Sequence, residues 1–257
     1  KGGTTLTAGT LKIGVATVGT APSTITSSAI GAGTLTINGG TVSSDGASNR
    51  SLYNAVVFGG NATFGDGTNV GTLTFTNTVG LGAAVRTLTI NADTTLSGVV
   101  SNGGITKAGS GTLTLSGSNT YASALTINTG VLIAGSASAL GSSAASVTVA
   151  DGAVLDLYGQ TITNTNALTL NGSGISNGGA LINSSSSAAS FAGTVALNTG
   201  STVAATNGNI TLSGVISGSN SLTKSGSYKL TLSGTNTYSG ITTINAGILS
   251  ISADANL

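Results

Sequence analysis

The chain has 257 residues in 24.3 kDa, a formal net charge of +1, and no His, Cys, Met or Trp. Without His and Cys it cannot build a Ser-His-Asp or Cys-His triad, a His/Cys zinc site or a thiol redox centre. Seven scattered cations form no basic stripe for a phosphate backbone, and no apolar run approaches the roughly 20 residues of a membrane helix. Nucleic-acid binding and membrane insertion of this segment are therefore not expected. Neither a catalytic residue, a metal nor a cofactor is expected.

Along the chain the polar/apolar period is two. Thr34-Leu35-Thr36-Ile37, Thr72-Leu73-Thr74-Phe75-Thr76, Thr87-Leu88-Thr89-Ile90, Thr112-Leu113-Thr114-Leu115 and Lys229-Leu230-Thr231-Leu232 each alternate a polar with a large apolar residue. This alternation predicts strands with one buried and one solvated face, in residue types that suit a pleated surface. Asn38-Gly39-Gly40, Asp45-Gly46, Asp66-Gly67, Asn102-Gly103-Gly104, Asp151-Gly152, Asn171-Gly172 and Asn207-Gly208 supply turns between them. No stretch carries a helical period over three turns, and the Ala/Ser-rich segment 134–146 holds too many Gly and Ser residues for one.

An internal repeat organises these runs. Residues 105–134 (ITKAGSGTLTLSGSNTYASALTINTGVLIA) recur at 222–251 (LTKSGSYKLTLSGTNTYSGITTINAGILSI), 117 residues later. The similarity extends upstream, giving blocks at 96–134 and 212–251, and residues 2–13 match the end of the same unit. We expect one continuous unit over 1–257, cut from a longer array.

A sandwich of this length needs more large inward residues than nine Phe and Tyr provide. Stacked coils suit the composition: small residues at corners, with Leu, Ile, Val and Ala in a narrow interior. At about 20 residues and ~4.8 Å per coil, the expectation is an all-β parallel β-helix of roughly 12–13 coils.

The motif L-T-K-x-G-x-G-T-L-T-L-S-G-x-N-T-Y-x-G-x-T-T-I-N-x-G-x-L resembles the autotransporter-associated β-strand repeat of type V secreted passenger regions. Leu222 to Leu249 follow it nearly throughout, departing at Tyr228-Lys229. Ile105 to Leu132 follow it with a weaker Ala122-Ser123 to Leu125 segment. The resemblance implies a right-handed β-helix, no catalytic role, and display on or release from the surface of a Gram-negative bacterium in adhesion.

Candidate sites stand beside plainer readings. Asp45, Asp66, Asp93, Asp151, Asp156 and Asp254 could hold calcium, but no nonapeptide recurs and turn formation accounts for them. Asp151 and Asp156 with Arg50 or Arg86 are the only raw material for a polysaccharide-cleaving site. Outward threonines at 34/36, 72/74/76, 87/89 and 112/114 raise ice or glycan binding, although their irregular spacing argues against one uninterrupted face. Lys107, Lys224 and Lys229 are expected at solvated edges, and Tyr121 and Tyr238 partly buried at a corner. Asn119 and Asn236 are expected to stack amides along the rod. With little like-charge repulsion, the rod is expected to associate with itself, laterally or end to end. Surface glycans are the other partner class, and a segment of an extracellular filament or sheath is the alternative role.

Overall fold

The computed structural model describes residues 2–20 and 24–252, and all regular structure in it is β apart from a 3₁₀ turn at Ile175–Asn177. No helix among the described residues is long and apolar enough to cross a membrane. Short strands pair in parallel with the coils before and after them, forming a β-solenoid. The antiparallel pair Val18–Thr20 with Thr24–Ser27 stands outside this pattern.

The coil count is nearer ten than the expected 12–13. The first sheet has a path of ten strands from Thr4–Leu6 to Ile216–Ser217, and the second has ten from Arg50–Leu52 to Thr242–Ile244. At ~4.8 Å per step either path spans about 45 Å. The difference comes from insertions. Most coils return after 20–23 residues, as from Leu35 to Val56 or Ile105 to Leu125. The step from Thr4 to Leu35 takes 31 because it carries the antiparallel pair. The step from Leu168 to Val195 takes 27 because it carries the 3₁₀ turn and the serine-rich loop before Ala189–Phe191.

In the C-terminal half each coil has three sides. Val195–Leu197 lies in the first sheet, Ser201–Ala204 in the second and Ile210–Leu212 in a third, whose strand order begins at Thr161–Ile162 and ends at Ile248–Ile251. The three-residue strands bury their outer two residues and present the middle one, as in Leu125–Ile127, Val147–Val149 and Leu168–Leu170. Stacking then aligns like with like: Ile105, Leu125, Val147, Leu168, Val195 and Ile216 form one inward ladder. Phe58, Phe64 and Phe75 pack edge to face in the N-terminal interior, with centroids 6.2 and 5.5 Å apart.

Close stacking leaves no room for side chains at some corners. A Cβ on Gly117 would collide with the carbonyl oxygen of Gly98 in the preceding coil, and one on Gly234 with that of Gly214. Glycine at these S-G corners is a requirement of backbone contact between coils.

Candidate functional site

The first sheet presents an outward face of aligned side chains. Register places Thr87, Thr106, Thr126, Thr148 and Thr169 in one outward column, continued by Ala196 and Ser217. Beside it runs a second column, Thr10, Thr41, Thr63, Thr89 and Ala108, which continues through Asn128, Ala150, Asn171 and Asn198. The threonines singled out in the sequence do not share one face, as their irregular spacing implied: Thr87 and Thr89 lie in these two columns, whereas Thr74 and Thr114 lie on the second sheet, and the columns are completed by threonines the sequence reading did not single out. Insertions absorb the irregularity at the corners, so strand register keeps the columns straight. Between Thr87 and Ser217 neither column holds a charged residue. The second sheet carries a shorter column, Thr74, Thr95 and Thr114, which gives way to Ile133.

The lysines correct the sequence reading. Lys107 and Lys224 are fully buried, whereas Lys229 is exposed as expected. Lys107 sits in the inward ladder between Leu88 and Ile127, and Lys224 between Val203 and Ile244. Lys107 Nζ donates to the carbonyl oxygens of Gly109 (2.7 Å) and Thr129 (2.8 Å), with Ala108 further off at 3.4 Å. Lys224 Nζ donates to Ser225 (2.6 Å), Gly226 (2.7 Å) and Ala246 (3.0 Å). Each stem packs as an apolar side chain while its tip ties its own corner to that of the next coil. Burial pushes Lys107 down to about 8 against an opposing pull from the Asp93 carboxylate, and burial also lowers Lys224. The strand parity carried the signal: in Ile105-Thr106-Lys107 an outward Thr106 requires an inward Lys107.

Tyr121 is fully buried and Tyr238 nearly so, deeper than the partial burial expected. The Tyr121 hydroxyl donates to Ala139 O (3.0 Å), and burial holds its phenol well above the usual tyrosine range. Asn119 does not stack on another amide. Its Oδ1 accepts from Val100 N (2.8 Å) and its Nδ2 donates to Ala139 O (2.9 Å), bridging the coils on either side. Asn236 accepts from Ile216 N (2.8 Å) in the same way. The amide-to-amide contact lies instead on the outer face, where Asn198 Nδ2 donates to Asn171 Oδ1 (2.7 Å). Buried Asn54 and Asn166, not singled out in the sequence, likewise donate to corner carbonyls.

The acids are held apart in local roles. Asp45 pairs with Arg50 (2.6 Å), and that guanidinium keeps its carboxyl below the usual range. Asp66 accepts from Asn69 N, Asn69 Nδ2 and Thr68 N in a turn, which holds its carboxyl far below the usual range, and lies 3.5 Å from Lys12. Asp93 accepts from Thr112 N. Buried Asp156 accepts from Tyr158 N and from Ser184 N and Oγ. Arg86 donates to Leu81 O, and Arg50 also donates to Ile13 O. Asp151 is exposed, and Asp254 lies outside the described residues. No group of three or more His, Cys, Asp or Glu that could hold a metal occurs among the described residues.

Comparison with known proteins bears on what this rod is. The passenger-associated-transport-repeat family matches residues 105–134 and 222–251. The chain is 36% identical over 230 residues to the adhesin BmaC autotransporter of Brucella suis biovar 1; the match covers 84% of this chain and spans 6% of that protein. No solved structure matches. The two matched segments are those that carry the buried lysines and the Asn-Thr-Tyr corners, so the chain carries two copies of the passenger-associated-transport-repeat and is similar to a stretch of an autotransporter adhesin.

Proposed function

We infer that this segment is a non-catalytic adhesive rod, displayed on or released from the outer surface of a Gram-negative bacterium, which associates laterally with its own kind. The similarity to an autotransporter adhesin supports the surface and adhesion parts of this reading. The local engagement of Asp45, Asp66, Asp93 and Asp156 in ion pairs, turns and backbone bonds is consistent with a scaffold and not with a reacting centre.

The single observation behind self-association is the lack of charge. From Leu157 to Thr223 there is no charged residue, so neighbouring rods meet little electrostatic repulsion. Displaying the chain on a non-clumping bacterium tests the reading. Clumping and sedimentation of the cells are expected; cells that stay dispersed while the rod is demonstrably on their surface would contradict it.

A second reading, ice or glycan binding, is favoured by the five-threonine column. Thermal hysteresis and glycan-array binding are its tests, and null results on both would remove it.

A further inference from the structure

We propose that the two-column face of the first sheet, centred on Thr126, Thr148 and Thr169, is the surface through which a second copy of this chain binds. This rests on the self-association reading above and identifies where that association occurs.

Three observations select this face and this occupant. First, it combines length with absence of charge. The column from Thr87 to Ser217 has seven members, so it runs about 29 Å at ~4.8 Å per coil. The ion pairs Lys12–Asp66 and Arg50–Asp45 lie among earlier coils. The column on the second sheet ends after Thr114 at Ile133, whose successor is buried Asp156, and the one on the third sheet, Thr161, Ser190, Thr211, Thr231 and Ser250, is shorter and is flanked by exposed Lys229.

Second, the face is complementary to itself. A threonine hydroxyl both donates and accepts, and an asparagine amide offers both functions. A second copy presents the same hydroxyls at the same coil spacing, so two rods related by a two-fold axis keep their columns in step along the whole contact. A protein partner of unrelated fold has no reason to share that spacing. A sugar-binding face draws on aromatic platforms, yet the exposed Tyr158 and Tyr228 belong to neither column.

Third, equivalent positions of the two repeats do not share a face. Lys107 lies in the first sheet and its counterpart Lys224 in the second; Leu113 lies in the second sheet and Leu230 in the third. One module of 117 residues is five coils plus one side, so successive repeats point in different directions around the rod. A flat partner meets the threonine columns coil after coil, but meets equivalent repeat positions on different sides.

With a width of about 13 Å, two such faces bury roughly 800 Å², below the ~1,200 Å² of a stable complex. The contact is therefore weak for one segment and strengthens with the number of coils engaged.

The test compares Thr126→Lys/Thr148→Lys/Thr169→Lys with Thr74→Lys/Thr95→Lys/Thr114→Lys. Each variant adds three charges at outward, in-register threonines, but on different sheets. Circular dichroism checks folding, and sedimentation velocity over a concentration series reads association. The first variant is expected to weaken association at least tenfold, with the second within twofold of the unsubstituted chain. Equal association in both would overturn the assignment while leaving self-association intact. An unsubstituted chain that stays monomeric at the highest concentration would overturn both readings. Unchanged association in the first variant, together with lost glycan binding or thermal hysteresis, would give the face to another occupant. If either triple variant fails to fold, Thr148→Lys against Thr95→Lys makes the same comparison with one charge, and a loss confined to Thr148→Lys is the expected result.

Discussion

Lys107 and Lys224 place an ammonium group inside an apolar ladder, where only hydrogen bonds to the charged form offset its desolvation. Lys107 has two short acceptors and one long, so a neutral amine, with two N–H donors, still serves the short pair. Lys224 has three short acceptors, which call on all three donors of an ammonium. With Lys107 at about 8 in the folded rod and 10.5 unfolded, the unfolded chain holds more protons across that interval. Stability therefore rises with pH from about 8 to 10.5, by at most ~1.4 kcal/mol per pH unit from this group. Urea titrations across that range are expected to show the rise, and Lys107→Met to flatten it; an identical slope in both would refute the assignment. Asn119→Ala strands the buried Val100 N and removes one donor from Ala139 O. A loss of about 1–3 kcal/mol is expected in the same titration, against well under 1 kcal/mol for a substitution at exposed Ser118.

A single strand of this rod has little stability of its own, since three residues with one outward side chain bury little surface. It holds because the coils above and below present the same pattern at the same place. Leu132 shows this: it lies between Leu113 and Leu155 in the second sheet and is wholly buried. Leu132→Ala is expected to cost about 2–5 kcal/mol in chemical denaturation, whereas Thr126→Val, on the outer face one coil side away, stays near zero. Equal effects would mean that the inward and outward assignments are reversed. Strand positions were legible because a period of two survives in three residues, and the same parity puts Lys107 inside. Its charge argued for solvent, but the acceptors that offset that charge, Gly109 and Thr129, belong to corners whose proximity only folding creates. The threonine columns were illegible for a related reason. Coils of 19 to 31 residues scramble the spacing in sequence, while the ladder hydrogen bonds restore it in space.

At the scale of the whole molecule, the repeat set the expectation of a rod, and the rod is a stack of about ten coils. The overestimate came from assigning every coil about 20 residues, although the pairing of Val18–Thr20 with Thr24–Ser27 and the loop after Ile182 lengthen two of them. The rotation of the second repeat by one side follows from the mismatch between 117 residues and a whole number of coils. The first-sheet columns run on from coil to coil where equivalent repeat positions do not. On the self-association proposed above, such rods join through hydroxyls and amides with almost no help from charge. Sedimentation equilibrium at about 0.05 M and 1 M salt tests it most directly, because screening shrinks from ~14 to ~3 Å over that range. Association constants that agree within about twofold are expected. A tenfold or greater weakening at high salt would show that ion pairs carry the contact, and would contradict it.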